Sequence, residues 1–235
     1  MTAHPKVTLV TCKSMPNLFK GEEGLLDELA ARGCDPQIKV WNDPDVDWSE
    51  AGMVVVRSVS DYASDRQAFL EWTKQLRRVQ NSADVLNWNT DKHYLKELAA
   101  LGMPTIPTNW LEPEQNLSKH QIHTRFPAFG EFVVKPAVSS GVRDIGRYTT
   151  VDTRQRQAAM RQVQGLLGEG RSVMIQRYVE EIDLHGEISL VFFNGLVSHA
   201  VEKRSALHPA SVSDPSVHEA VVTAEAADSV AWKWG

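Results

Sequence analysis

The chain has 235 residues, of which 42% are hydrophobic and 23% charged, a composition typical of a globular protein with a sizeable core. Its net charge of −5 and pI near 5.9 argue against nucleic acid as a partner, because such proteins usually carry a basic stripe. Two cysteines without a CxxC motif, no signal peptide and no apolar run of the ~20 residues needed to span a bilayer predict a cytoplasmic protein with no membrane partner.

The first part of the sequence alternates short apolar strands with helical patterns. We predict strands at "KVTLVTC", "PQIKVW" and "GMVVVRS", and a helix at "GEEGLLDELAARG" that ends at Gly33. A further helix, "DRQAFLEWTKQLRRVQ", places Phe69, Trp72, Leu76 and Val79 on one stripe that suits core packing. This pattern predicts a small α/β lobe over residues 1–84, with a parallel sheet.

A helix is predicted next in "NWNTDKHYLKELAALG", with polar cap candidates at residues 89–91. Lys92 then lies in the first turn, where a cation opposes the positive end of the helix dipole. A bound anion would reverse this penalty. The alternative is a solvated lysine paired with Asp91 or Glu97.

The segment "QNLSKHQIHTRFPAFG" is predicted to be a polar connection, and the strand "EFVVKP" follows it. Lys135 lies at the end of that apolar strand, where an ammonium group needs an anionic partner or a route to water. The following "SSG" is a small-residue loop whose N–H groups could cradle phosphate oxygens. The alternative is a lysine that simply precedes a surface turn.

The remaining elements predict an α+β unit, within residues 85–235, with a central lobe at about 119–178. They are a helix at "TRQRQAAMRQVQGLLGEG", a strand at "SVMIQRYVEEI" and a hairpin centred on Asn194-Gly195. Counting outward from that turn places Glu187 opposite Glu202, an unfavourable pair of like charges. Ribose hydroxyls, Arg204 or a cation would relieve the repulsion, and full solvation is the alternative.

Four motifs in order resemble the ATP-grasp family: "RSVSDY", "LNWNTDKHYLKELAALGMPTIPT", "VVKPAVSSG" and "GEISLVFFNGLVSHAVEKR". The resemblance covers roughly residues 85–204 and is closest to the branch that includes the cyclo-ligase of D-cycloserine biosynthesis and glutathione-synthetase-like proteins. It implies an ATP-grasp fold, in which a small N-terminal α/β lobe precedes two α+β lobes that enclose ATP.

The resemblance also implies roles for individual residues in ATP binding. Lys92 and Lys135 would hold the phosphates, and a flexible loop of Ser139, Ser140 and Gly141, with Arg143 close by, would cover them. Gln176 would pair with the adenine amino group and Glu187 with the ribose hydroxyls. The hinge beside the base would consist of Arg177, Tyr178 and Val179.

The implied reaction is ligation that consumes ATP with Mg²⁺ as cofactor. An amino-acid-like carboxylate becomes an acyl phosphate, and a nitrogen nucleophile then displaces phosphate, with intramolecular cyclisation as one option. Lys203 and Arg204 are the catalytic candidates for stabilising the transferred phosphoryl group. Arg57, Asp61 and Tyr62 are the candidates for binding the small-molecule carboxylate. Assembly into a homo-oligomer is a further option.

The sequence departs from the family in its metal site. Family members hold magnesium with an Asp and a Glu-x-Asn pair, but no asparagine follows Arg204. The acids that remain there are Asp214, Glu219, Glu225 and Asp228, and none is assigned as a ligand. We therefore expect a C-terminally incomplete chain that binds nucleotide but forms acyl phosphate slowly.

Two other functions are alternatives to ligation. A nucleotide-binding module without turnover would explain the missing metal carboxylates. A Rossmann-type dinucleotide enzyme would explain the early β/α alternation, but the first strand is followed by "TCKSMPNLFKGEEG" rather than by G-x-G-x-x-G.

Overall fold

A computed structural model describes residues 4–19, 21–22, 24–203, 207 and 221–224, with only the backbone described for 202–203 and 221–224. The described chain forms two compact units. The first runs up to Thr105 and also includes Pro136–Arg143, and the second comprises Ile106–Lys135 and the chain from Asp144 onward. The boundary expected after residue 84 stays a prediction.

The first unit is an α/β layer structure around a parallel sheet. The sheet has the order β2-β1-β3-β4, and β1 pairs in parallel with both β2 and β3. In chain order its elements are β1 (Lys6–Thr11), α1 (Gly24–Ala31), β2 (Asp35–Val40), β3 (Met53–Ser58), α2 (Arg66–Lys74), β4 (Val79–Gln80), α3 (Ala83–Asn89) and α4 (Tyr94–Ala100).

Alternating side chains of β1 pack on the two sides of this sheet. Val7 and Leu9 contact the leucines of α1, whereas Val10 joins an aromatic cluster that includes Phe69 and Trp72 of α2. The three predicted strands and the first helix are therefore confirmed. The second helix was predicted too long, because α2 ends at Lys74 and Val79 belongs to β4.

The helix predicted after residue 91 is α4, and the structure has a further helix, α3, just before it. Ser82 accepts a hydrogen bond from Val85 N (3.3 Å) and caps α3, a cap that was not predicted from the sequence. Residues 90–93 form a turn between α3 and α4. Lys92 consequently lies before the first turn of α4 rather than within it, so the helix-dipole interpretation of this lysine was wrong.

The second unit is α+β and contains two sheets. A four-stranded sheet has the order β5-β8-β6-β7, and a three-stranded sheet has the order β11-β10-β9. Its elements are β5 (Thr108–Leu111), α5 (Lys119–His123), β6 (Glu131–Pro136), β7 (Gly146–Thr149), α6 (Thr153–Gly168), β8 (Val173–Arg177), α7 (Glu181–His185), β9 (Glu187–Phe193), β10 (Leu196–Lys203) and β11 (Val221–Ala224).

Helix α6 covers one face of the four-stranded sheet. Its residues Ala159, Val163 and Leu166 are buried in a cluster with side chains of β5, β6 and β8. The segment predicted to be a polar connection contributes to the same core through Ile122 and Phe126. It contains α5 because Ser118 and Gln121 form a reciprocal capping box, a local signal that the prediction of a polar connection overlooked.

The hairpin of β9 and β10 turns at Asn194 and Gly195, as predicted, with φ of 51° and 77°. Its register is not the predicted one. The ladder shifts between Val197 and His199, and the outer pairs become Lys203 with Glu187 and Glu202 with Ile188. One extra residue on β10, a β-bulge, therefore places a lysine position opposite Glu187, and the expected pairing of two glutamates was wrong.

Among the described residues, no helix combines the length and the apolar character needed to cross a membrane.

Candidate functional site

The face of the four-stranded sheet opposite α6 carries two of the predicted nucleotide-binding side chains of the second unit. Successive strand residues point to opposite faces, and the core with α6 contains Phe132, Val134, Val173 and Ile175. The alternate positions on β6 and β8 are Val133, Lys135, Met174 and Gln176. The strand pattern thus brings Lys135 and Gln176 to one face.

Lys135 is half-buried at the end of β6. Burial lowers the pKa of its ammonium group, and the carboxylate of Glu187, at the start of β9, partly offsets that shift. The Lys135 ammonium group thus lies in a desolvated setting beside one carboxylate, which favours its charged form. Such a cation gains strongly from an added anion, because low dielectric strengthens the attraction.

Gln176 is buried, with 5% of its surface exposed. Its cross-strand neighbour on β5 is Thr108, and Gln176 Nε2 donates a hydrogen bond to Thr108 Oγ1 at 2.7 Å. Thr108 was not a predicted site residue. Threonine is common in strands, so no sequence signal distinguished it.

The predicted hinge begins at the last residue of β8. Arg177 is exposed, and its guanidinium lies 4.4 Å from the centre of the Phe129 ring. Tyr178 N donates to Glu131 O at 2.9 Å, so the end of β8 lies beside the start of β6. Val179 accepts from Ile182 N at 3.2 Å as the chain turns into α7.

An ion network that was not predicted from the sequence holds this hinge. Arg147 lies opposite Val133 in the β6/β7 ladder and ion-pairs with Glu131 and, at 2.8 Å, with Asp183. Its guanidinium also lies 3.6 Å from the centre of the Tyr178 ring, and the Tyr178 hydroxyl donates to Asp183. The sequence signal for this network was Arg147 itself, a charged residue within a short strand, because an arginine at a buried strand position requires partners.

In the first unit, the small-residue loop surrounds Lys92. Lys92 Nζ donates to Ser139 Oγ at 2.7 Å, Ser139 O at 3.2 Å and Ala137 O at 3.4 Å. The Lys92 backbone N–H donates to Ala137 O as well, at 3.0 Å. Tyr62 donates its hydroxyl to Ser139 O at 3.1 Å. The structure thus unites Lys92, the loop and one substrate candidate.

The rest of the loop is more open. Ser139 is buried, Ser140 is half-buried and Gly141 is exposed. Gly141 has a φ of +61°, and a Cβ at this position would meet no atom within 4 Å, so its backbone conformation rather than crowding explains the glycine. Arg143 is exposed and donates to Ser64 Oγ at 3.0 Å.

The three substrate candidates have different surroundings. Arg57 is exposed and ion-pairs with Glu22, which also accepts from Ser58 Oγ at 2.5 Å. Asp61 accepts from Trp41 Nε1 at 2.7 Å. Burial raises the pKa of Tyr62, and the nearby Arg66 partly offsets it. Their role in substrate binding stays a prediction.

The catalytic and metal candidates near the end of the chain are only partly described. Lys203 is the last residue of β10 and the ladder partner of Glu187, and Arg204 lies outside the described residues. So do Asp214, Glu219, Glu225 and Asp228. Within the part of the chain that the structure describes, no three His, Cys, Asp or Glu side chains are grouped so that they could hold a metal ion.

Comparison with known proteins identifies relatives of both units. The family model of the N-terminal domain of D-cycloserine synthetase DcsG matches residues 7–87. The cycloserine biosynthesis protein DcsG of Streptomyces lavendulae is 36% identical over 200 residues, which are 83% of this chain. The chain spans 64% of the length of that relative.

Solved structures agree with this similarity. The crystal structure of D-cycloserine synthetase DcsG matches with a TM-score of 0.76 and 33% identity, over 87% of this chain and 69% of the other. A RimK domain ATP-grasp protein from Sphaerobacter thermophilus matches with a TM-score of 0.62 over 92% of this chain and 83% of the other, at 14% identity. The second comparison supports the fold alone, which is the ATP-grasp fold.

Proposed function

The chain belongs to the ATP-grasp family, in which it resembles D-cycloserine synthetase, and from this premise we propose that it is an ATP-dependent carboxylate–amine ligase. It would convert an amino-acid-like carboxylate into an acyl phosphate and join that acyl group to nitrogen. The names of the two DcsG relatives connect them with cycloserine. We extend this to the present chain as ring closure, in which the nitrogen belongs to the activated molecule itself.

The observation that carries the proposal is the placement of Lys135, Gln176 and the hinge on one sheet. The hinge residue Tyr178 bonds to Glu131 at the start of β6, and Lys135 lies four residues further along the same strand. Four strand residues span about 13 Å. A nucleotide lying along this face would therefore reach Lys135 with its phosphates while its base stays beside Gln176.

Each side chain supplies a group that suits one part of ATP. The Gln176 amide oxygen is an acceptor for the adenine amino group, and the hinge backbone borders the base. The Glu187 carboxylate offers two acceptors for ribose hydroxyls. The Lys135 ammonium donates charge-assisted hydrogen bonds to phosphate oxygens, and its desolvated position makes those bonds stronger.

The proposed reaction has two steps. A carboxylate oxygen of the substrate attacks the γ-phosphorus, and the bond from that phosphorus to the oxygen of ADP breaks. The nitrogen nucleophile then attacks the acyl carbon, the carbon–oxygen bond to phosphate breaks, and the nitrogen loses a proton. No magnesium ligand is assigned among the described residues, and their proposed role in the reaction is to bind and orient the nucleotide, which contributes strongly to phosphoryl transfer.

Nucleotide binding is tested by calorimetric titration of ADP into the wild type, Lys135→Ala and Lys74→Ala. Lys74 is an exposed lysine paired with Glu71 at 2.7 Å and serves as the matched control. We expect Lys135→Ala to weaken ADP binding by roughly tenfold to a hundredfold, from the ~1.5–3 kcal/mol of a charge-assisted bond. Equal affinities in all three proteins would contradict the assignment of Lys135.

Turnover is tested by measuring phosphate release with ATP, magnesium and amino-acid-like carboxylates that carry an internal nitrogen nucleophile. Mass spectrometry of the product separates ring closure, which removes one water from the substrate, from ligation of two molecules. We expect phosphate release that depends on both ATP and carboxylate. ADP binding without any carboxylate-dependent release would instead support a nucleotide-binding module.

A further inference from the structure

Thr108 connects Gln176 to the backbone just before β5 through two hydrogen bonds. Gln176 Nε2 lies 2.7 Å from Thr108 Oγ1, and Thr108 Oγ1 lies 2.8 Å from Ile106 O. The two residues are also direct ladder partners in the antiparallel pair of β5 and β8. Gln176 is buried, Thr108 is half-buried and Ile106 is exposed, so the bond between Gln176 and Thr108 is the better shielded of the two from water.

The carbonyl of Ile106 determines which group is the donor in each of these two hydrogen bonds. A backbone carbonyl can only accept, so the Thr108 hydroxyl uses its one proton to donate to Ile106 O. The same hydroxyl oxygen must then accept from Gln176, which requires the amide nitrogen to face Thr108. The amide oxygen of Gln176 consequently points the other way. The carbonyl of Ile106 thus determines the positions of the oxygen and the nitrogen of the Gln176 amide, because the orientation of a glutamine amide follows from its hydrogen-bond network.

We propose that Thr108 is a positioning residue that sets purine selectivity by holding the Gln176 amide in one orientation. The inference rests on the proposed nucleotide site and adds to it the reason why adenine is preferred. A glutamine amide can turn over to present either an oxygen or an NH₂ group, so glutamine alone does not distinguish an amino group from a carbonyl. Thr108 removes that ambiguity.

The discriminating position is atom 6 of the purine. Adenine has an amino donor there, which the fixed amide oxygen accepts, whereas hypoxanthine has a carbonyl oxygen, which would face another oxygen. A buried site built for one hydrogen-bonding partner discriminates strongly against an analogue that leaves its polar group unpaired. Without the threonine hydroxyl, the amide can turn its NH₂ group toward the hypoxanthine carbonyl.

The experiment is calorimetric titration of ADP and IDP into the wild type, Thr108→Val and Thr108→Ser. Valine keeps the shape of threonine without the hydroxyl, and serine keeps the hydroxyl. We expect the wild type to prefer ADP by roughly tenfold to a hundredfold. We expect Thr108→Val to reduce that preference by about tenfold and Thr108→Ser to retain it within about twofold.

Comparison of ratios and one further titration make the result specific. The two nucleotides also differ at purine position 1, but that difference is the same in all three proteins and cancels when their ADP/IDP ratios are compared. Tripolyphosphate, which has no base, should bind all three proteins equally, whereas a general loss of structure would weaken it. If Thr108→Val does not fold, Thr108→Ala also lacks the hydroxyl and replaces it.

The outcomes separate this inference from the function on which it rests. A wild type that binds neither ADP nor tripolyphosphate would overturn the proposed nucleotide site and the role of Thr108 with it. A wild type that binds ADP, together with an unchanged ADP/IDP ratio in Thr108→Val, would overturn the role of Thr108 alone. A ratio that falls in Thr108→Val and is retained in Thr108→Ser supports it.

Discussion

Two lysines predicted to bind phosphate have opposite surroundings. Lys92, in the first unit, donates to three oxygen atoms of Ala137 and Ser139, all of them uncharged. Lys135, in the second unit, is desolvated, and the charge that supports its protonated form is the carboxylate of Glu187. Both lysines are notable in the sequence for the same reason, a cation at an unexpected position. The contacts described thus tie Lys92 to the loop, whereas Lys135 lies beside a carboxylate.

This difference predicts a division of roles between the two lysines. Lys92 already has neutral hydrogen-bond partners, so an incoming phosphate would replace bonds that exist, and the net gain is small. Lys135 is desolvated, so a phosphate would add an interaction where water contributes little. We therefore expect Lys92 to contribute mainly to the stability of the loop, and Lys135 mainly to nucleotide affinity.

The largest effect expected is on ADP affinity. Lys135→Met should weaken ADP binding by roughly tenfold to a hundredfold, and Lys92→Met by about tenfold or less, since its bonds to the loop are exchanged rather than newly made. Isothermal calorimetry of both variants, with Lys74→Met as the surface control, measures the ranking. A greater loss in Lys92→Met than in Lys135→Met would reverse the assigned roles.

Unfolding should show the opposite ranking. Lys92→Met removes a donor from three part-buried oxygens and should lower the free energy of unfolding by about 1–3 kcal/mol. Lys135→Met removes the cost of desolvating a cation and leaves the exposed Glu187 carboxylate to water, so we expect it to be neutral or stabilising. Urea denaturation without nucleotide gives both values. Equal destabilisation by the two variants would show that their surroundings do not differ in energy.

A smaller effect tests how firmly the loop is held around Lys92. Tyr62→Phe removes the hydroxyl that donates to Ser139 O at 3.1 Å and should cost about 0.5–1.5 kcal/mol of unfolding free energy. Ser64→Ala removes the exposed acceptor of Arg143 and serves as the matched control, with an expected change of no more than about 0.5 kcal/mol. Similar values for both variants would mean that Tyr62 is not an anchor of the loop.

The smallest effect expected is a shift in the pH dependence of ADP binding. Protonated Lys135 binds phosphate, so affinity should fall as pH rises through the pKa of Lys135, which burial has lowered. The titration starts at about pH 7.5, where the phosphates are ionised. Glu187→Gln removes the carboxylate that opposes the lowering, so the fall should begin at lower pH than in the wild type.

The control for this measurement is Glu181→Gln, an exposed carboxylate at the start of α7. Because Glu187 is also the proposed ribose ligand, its loss should reduce ADP affinity at every pH. The informative quantity is therefore the midpoint of the pH dependence rather than the affinity itself. An unchanged midpoint in Glu187→Gln would contradict the coupling between Glu187 and Lys135.

Prediction from the sequence was most successful where the pattern was local. Strand alternation predicted β1, β2 and β3, and Asn194-Gly195 predicted the hairpin turn, because each depends on residues within a few positions of one another. The errors arose at element ends and in register. A single bulged residue in β10 moved Glu187 from a predicted glutamate partner to the position of Lys203, and no local pattern in that strand indicated the shift.

The sequence by itself determined the α/β character of the first unit, the strands β1, β2 and β3, the hairpin turn and the position of Lys135 at the end of an apolar strand. Those features follow from hydrophobic periodicity and turn chemistry, which act between near neighbours. Only the tertiary structure decided which groups meet: Thr108 with Gln176, Arg147 with Asp183, and Lys92 with Ser139. These contacts join residues far apart in the chain, and strand order, register and packing decide them because each side chain has many chemically acceptable partners.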